Sequence, residues 1–194
     1  YKVYPNVVDG DIFYPERKTQ VETDELQILH ISSFDDKHKN ISGMLEAIAG
    51  LRRSFHLRII TEGSVEEAYA ATDAAGIPKD QVEIKSKCDA YEIAEVFRLS
   101  NVFVLFSNYE TFSVVLAESW MSGVPAIYSK CGGLTEINDP VLGVQLAVKN
   151  IEALNNALES FDITRYDAES IRLFATRFEK NQLSDEIRKI YDEI

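Results

Sequence analysis

The stretch NVFVLFSNYETFSVVLAESWMSGVPAIYS, residues 101–129, decides the fold. It opens on an apolar run, NVFVLFS (101–107), that reads as a strand. A polar loop then leads into SVVLAESWM, apolar enough for a packed helix. Gly123-Val124-Pro125 stops that helix and starts the next strand, PAIYS (125–129). Strand, helix and strand in this order make a crossover between parallel strands. The same stretch carries two carboxylates, Glu110 and Glu118, with seven residues between them. Glu118 falls inside the apolar run, where an ionised carboxylate costs several kcal/mol unless it is paired or hydrogen-bonded.

Working outward, the pattern repeats on both sides. LQILHIS (26–32) reads as a strand buried on both faces, followed by an amphipathic helix, ISGMLEAIAGLRR (41–53). HLRIIT (56–61) is the next strand, and SVEEAYAATDAAG (64–76) a helix with Ser64 as its N-cap and Gly76 at its end. QVEIK (81–85) and AYEIAEVFRLS (90–100) give a further strand and helix. Beyond residue 129 come a short strand near VQLAV (144–148) and helices over about 150–160 and 167–192. The predicted class is α/β, with a Rossmann-like parallel sheet flanked by helices and right-handed crossovers. Residues 1–25, irregular and polar, read as a linker; 26–165 read as the domain and 166–194 as a closing helix.

Composition narrows the function. A chain of 194 residues holds one sizeable core. A formal charge of −12 repels nucleic acid, so no nucleic-acid partner is expected and any anionic ligand needs local donors. No apolar run reaches the length of a membrane span. The chain opens without Met, on YKVYPNVVDG, which suggests part of a longer protein. Cys88 and Cys131 lack a CxxC spacing or a nearby His, so no metal site is expected and free thiols fit a reducing cytosol. GxGxxG after the first strand, GxxxxGK[ST] and GxSxG are all absent, which argues against an NAD site, a P-loop and a hydrolase elbow. A phosphoacceptor receiver would need an Asp where Lys85-Ser86-Lys87 ends the third strand.

Ligands of open parallel sheets bind outside the carboxyl ends of the strands. There lie SSFDDKHKN, TEGS, KSKCD, SNYETFS and SKCGG. Tyr109 to Ser113 lead into a helix whose first-turn N–H groups and dipole offer an anion site. Glu110 stands at its mouth, and Glu118 two turns in, on the face of Val114, Val115 and Met121 or Ser122. A carboxylate there suits paired hydroxyls such as those of a ribose; the alternative is a solvated Glu110 and a Glu118 paired with a distant Arg. Gly132-Gly133 allows positive φ and close backbone approach to a ligand, or simply makes a turn. Lys39, beside the start of a helix, can hold a diphosphate or lie in a solvated loop; Lys85 and Lys87 face the same edge. His38, with no second His or Cys beside it, reads as exposed.

Together these residues resemble the C-terminal, donor-binding half of the retaining glycosyltransferases of family 4, the glycosyltransferases group 1 of the GT-B fold. The family's E-x7-E motif stands as Ser107-Asn108-Tyr109-Glu110-Thr111-Phe112-Ser113, then Glu118, Gly123-Val124-Pro125 and Gly132-Gly133-Leu134-Thr135-Glu136. Its V-G-R-L-x-x-x-K-G/N segment appears as Ile31-Ser32-Ser33-Phe34 with Lys39-Asn40, and its interdomain P-N-G-V-D as Pro5 to Asp9. The resemblance implies catalytic roles for Glu110, near the donor sugar, and Lys39, on the diphosphate. It implies binding roles for Glu118 at the ribose and for the backbone of Thr111, Phe112 and Ser113 at the sugar and distal phosphate. Lys87 would flank the base, and Gly132 and Gly133 would border the ligand. Ser33 replaces the Arg that usually shares the diphosphate, and Ser113 replaces a Gly.

The resemblance further implies no cofactor beyond a nucleotide-diphosphate sugar, with UDP or GDP as its base carrier, and no metal. It implies an acceptor-binding N-terminal domain in cis, toward which residues 166–194 would pack. The full-length enzyme would be cytoplasmic, with peripheral association at the inner face of a membrane. Against this stands a degenerate, non-catalytic half serving as a binding or interaction module, for which Ser33 is the argument.

Overall fold

Alternating faces of four central strands account for the layered architecture. In a computed structural model describing residues 6–16, 25–180 and 184, β1 (Leu26–Ser32) is buried almost throughout. Ile28 faces one apolar cluster while Leu29 and Ile31 face the other, the period-two pattern of a strand covered on both sides. β1 is followed by a single turn, α1 (Asp36–Lys39), and by α2 (Ile41–Ala49). β2 (Phe55–Thr61), α3 (Val65–Ala74), β3 (Val82–Ser86) and α4 (Ala90–Arg98) continue the alternation. Then come β4 (Val102–Leu105), α5 (Val114–Met121), β5 (Ala126–Ser129), β6 (Gly143–Leu146), α6 (Ile151–Glu159) and α7 (Ala168–Ala175).

The six strands are all parallel and lie in the order β3-β2-β1-β4-β5-β6. The α/β class and the Rossmann-like sheet expected from the sequence are therefore present. Strand order reverses between β1 and β4, and the helices that follow those two strands, α2 and α5, lie on opposite faces of the sheet, which leaves a crevice there. α2, α3 and α6 contribute to one core cluster, α4, α5 and α7 to the other. Local chemistry fixes the helix starts. The Ser64 hydroxyl accepts from Glu67 N at 3.1 Å, as the sequence suggests, and Asp89 and Glu92 form a reciprocal capping box on α4.

The two chain ends differ from the sequence expectation. Of the segment read as a linker, residues 6–16 are described, and there Val8 and Phe13 belong to the core. Arg172 holds this segment by donating to the carbonyls of Phe13 at 2.8 Å and Gly10 at 3.2 Å. The closing helix expected over 167–192 is interrupted. α7 ends at Ala175, a 3-10 turn covers Thr176–Phe178, and Glu179 is extended in a parallel bridge with Val8. Phe178 causes the break: its ring is buried against Phe112 and Trp120, and only an extended residue after it can pair with Val8. Residues 180 and 184 are again helical; the other residues of that expected helix, and Pro5, lie outside the described residues.

Candidate active site

The crevice at the β1/β4 junction is built by two loops that hydrogen-bond each other. After β1, Phe34 takes a left-handed φ of 61°, Asp35 caps α1 by accepting from Lys37 N, and Asn40 takes a φ of 50°. Glycine and asparagine tolerate that region best, which explains a Gly or Asn after Lys39. After β4, the amide of Asn108 donates to His38 O at 2.7 Å, and its side-chain amide donates to Lys37 O at 3.0 Å. The exposed His38 ring is bonded to Asp35.

This clasp brings the two candidate catalytic residues together. Lys39 Nζ donates to Glu110 Oε1 at 2.6 Å, and Ser107 Oγ donates to the same oxygen at 2.7 Å. Glu110 is 7% exposed, so it is not the solvated loop residue that the sequence left open. A buried carboxylate persists only with such partners. Ser107, fully buried, is a site residue that sequence reasoning left without a role; its place at the strand end, three residues before a carboxylate, was the available signal.

Thr111, Phe112 and Ser113 lead into the helix, as the sequence suggested, without joining it. α5 starts at Val114, because Ser113 has φ 67° and ψ 93°, which no helix continues. The Ser113 hydroxyl makes no cap, so the first amides of α5 have no side-chain acceptor from it. Thr111 is exposed; Phe112 is half-buried, edge-on to Phe178 at 5.0 Å.

Glu118 lies about one turn into α5, half-buried, and among the described residues its carboxylate has neither a hydrogen bond nor an ion pair. The distant Arg partner considered from the sequence is not there. Burial alone raises its pKa to about 7.

The glycine pair is close to backbone, but the backbone is the protein's own. A Cβ on Gly132 would fall 1.6 Å from Glu110 O, and one on Gly133 would fall 2.2 Å from Thr111 O. The pair lets the 3-10 turn Gly132–Glu136 press against the loop carrying Glu110, which agrees with the turn the sequence left open beside a ligand contact. Ser33 and Lys87 are exposed at the ends of β1 and β3, and among the described residues neither is joined to the Lys39–Glu110 pair by a hydrogen bond or ion pair. Lys87 sits beyond the edge strand, and Lys85 is spent on Glu83 at 2.8 Å.

The order of these parts along the sheet edge matches a known family. A model of the family described as "Glycosyl transferases group 1" matches residues 15–172. The chain belongs to that family. Within it, the chain is 31% identical over 144 residues to the MMP alpha-(1->4)-mannosyltransferase of Mycolicibacterium hassiacum, covering 71% of this chain and 33% of that protein. It is 26% identical over 140 residues to the N-acetyl-alpha-D-glucosaminyl L-malate synthase of Bacillus anthracis, covering 68% and 36%. The chain thus spans about a third of the length of these curated relatives. Anabaena HepE in complex with UDP-glucose superposes with a TM-score of 0.81 at 17% identity, over 100% of this chain and 57% of that one. Sucrose-phosphate synthase from Thermosynechococcus elongatus superposes with a TM-score of 0.79 at 22% identity, over 99% and 52%. These likenesses are of fold, and the group 1 chain looks like the C-terminal half of a GT-B glycosyltransferase. Among its described residues no helix is long and apolar enough to cross a membrane.

Proposed function

We propose that this chain is the donor-binding half of a retaining glycosyltransferase that moves a hexosyl group from a nucleotide-diphosphate sugar to a hydroxyl of a glycan, polysaccharide or lipid-linked acceptor. One observation carries the reading: a half-buried carboxylate, Glu118, unpaired among the described residues, follows a paired one, Glu110, after the strand where strand order reverses. Glu118 is placed to accept from both ribose hydroxyls. Lys39 and the uncapped amides of α5 face the diphosphate. As the bond from the anomeric carbon to the diphosphate oxygen breaks, its electron pair goes to that oxygen, and these donors stabilise the growing charge. The acceptor oxygen then bonds the anomeric carbon on the same face, and its proton passes to the departing phosphate. Glu110, fixed by Lys39 and Ser107, orients the sugar. UDP or GDP is the expected carrier; HepE has been captured with UDP-glucose.

The acceptor is read by a second domain in cis, so this chain alone should bind donor and turn over little. We place the full-length enzyme in the cytoplasm, at the inner face of a membrane when its acceptor is lipid-linked. A second reading, a non-catalytic binding module, is favoured by Ser33 and by the consumption of the Lys39 charge on Glu110. Calorimetry with UDP, GDP, ADP and their glucose or mannose derivatives separates the two. The donor reading expects heat with one base series and a loss of about tenfold or more in affinity in Glu118→Ala. Silence with every nucleotide would leave the module.

A further inference from the structure

Behind the loop that carries Ser33 runs a polar chain of fixed direction. His30, in the middle of β1, is fully buried. Its Nδ1 lies 2.9 Å from the carbonyl oxygen of Val104 on β4. A carbonyl oxygen only accepts, so Nδ1 carries the hydrogen. Burial lowers the His30 pKa to about 4, so the ring is neutral at pH 7 and Nε2 has a lone pair to offer. Nε2 lies 2.8 Å from Ser32 Oγ, so the Ser32 hydroxyl donates to it. With its proton committed, Ser32 Oγ accepts from the amide of Phe34 at 3.0 Å. Each link fixes the direction of the next, from β4 across the seam of the sheet to the first turn after β1.

That turn needs a tether. Phe34 holds a φ of 61°, which costs a bulky residue about 1–3 kcal/mol. Packing holds it on one side only, because Phe34 borders an open cavity of about 560 Å³ with Ile41 and Leu45. Ser33 lies between the two residues of the tether. We propose that His30 is a positioning residue: acting through Ser32, it sets the backbone of Ser33 and Phe34 and thereby the wall that meets the donor diphosphate. The role in donor binding rests on the donor-site reading above; the tether itself does not.

Two measurements test it on the chain as it stands. Long-range proton–nitrogen NMR at pH 7 should show a neutral His30 protonated at Nδ1, and Ser32→Ala should strip the Phe34 amide of its protection from hydrogen exchange. An Nε2-protonated ring, or an unchanged Phe34 amide, overturns the proposal whatever the nucleotide data say. Calorimetry with UDP against uridine then reads the consequence. Ser32→Ala should weaken UDP about tenfold and leave uridine unchanged, and His30→Gln should retain more UDP affinity than His30→Leu. Equal losses for UDP and uridine, or none, would make His30 an ordinary core histidine while leaving the donor reading intact. If the unmodified chain binds uridine but no nucleoside diphosphate, the donor reading fails and the proposed role falls with it. The NMR result then still decides the tether.

Discussion

His30 and Glu118 are both buried titratable groups beside the same crevice, and the protein treats them in opposite ways. His30 has both ring nitrogens bonded to the protein, at 2.9 and 2.8 Å. Glu118, on α5, has no partner among the described residues. Folding has already satisfied the histidine, so its chemistry is structural. The carboxylate keeps its acceptors unused among the described residues, and under the proposed function a donor ribose would occupy them. Such a group raises the energy of the free protein, and a ligand with two adjacent hydroxyls removes that cost. Burial moves both pKa values toward the neutral form, down to about 4 for His30 and up to about 7 for Glu118.

Breaking the satisfied side should give the largest effect. His30→Leu removes two hydrogen bonds and leaves Val104 O and the Ser32 hydroxyl buried and short of a partner. Urea denaturation at pH 7 should show a loss of about 2–4 kcal/mol. A loss below about 0.5 kcal/mol would mean that the network contributes little, and the contrast with Glu118 would lose half its content.

Relieving the unsatisfied side should act in the other direction. For Glu118, the folded pKa lies above the unfolded value near 4.5, so the folded state holds the proton longer as pH rises. Its cost is absent below about pH 4.5, grows through the interval and is fully present above about pH 7. Glu118→Gln should therefore stabilise the chain at pH 8 by about 1–3 kcal/mol, with no gain at pH 4.5. The same substitution should weaken nucleotide binding. A variant stabilised at pH 8 that still binds UDP at full strength would break the link between frustration and function.

The two groups also oppose each other in a single titration. His30 is depressed, so its contribution is complete above about pH 6.5 and is lost as pH falls toward about 4. Between pH 4.5 and 6.5 the histidine makes stability rise with pH while Glu118 makes it fall. Each slope is at most about 1.4 kcal/mol per pH unit. The joint contribution of the two should be nearly flat over that window. Relative to the unmodified chain, stability should tilt upward with pH in Glu118→Gln and downward in His30→Leu. Parallel curves for all three proteins would show that neither group titrates as its burial requires.

The contrast also marks what the sequence made legible. The alternation of strands and helices and the two-sided burial of β1 follow from apolar runs between helical stretches, and those were readable because the pattern is local; the order of the strands in the sheet was not. Glu118 was readable for the same reason, as a charge in an apolar run. His30 broke an equally apolar run, LQILHIS, but its meaning depended on Val104, 74 residues away. Long-range partners also hid the role of Gly132 and Gly133, which serve the backbone at Glu110 and Thr111. The end of α7 was set by the burial of Phe178 and its neighbour's bridge to Val8, and no periodicity announces such a contact.

The smallest expected effect concerns the residue that joins the two regions. At the starts of α3, α4, α6 and α7 the N-cap side chain accepts from a first-turn amide, whereas Ser113 at α5 accepts from none. Its φ of 67° with ψ of 93° suits glycine, the residue that the family pattern usually has there. Strain of about 1–3 kcal/mol at a non-glycine residue is offset by the greater freedom that glycine has in the unfolded chain, about 0.5–1 kcal/mol. Ser113→Gly should therefore stabilise by about 1 kcal/mol, and Ser113→Ala, which keeps the Cβ, should not. If the alanine variant gains as much as the glycine, the hydroxyl and not the backbone carries the cost. Ser113 would then be a second frustrated polar group, to be grouped with Glu118 rather than with the satisfied framework around His30.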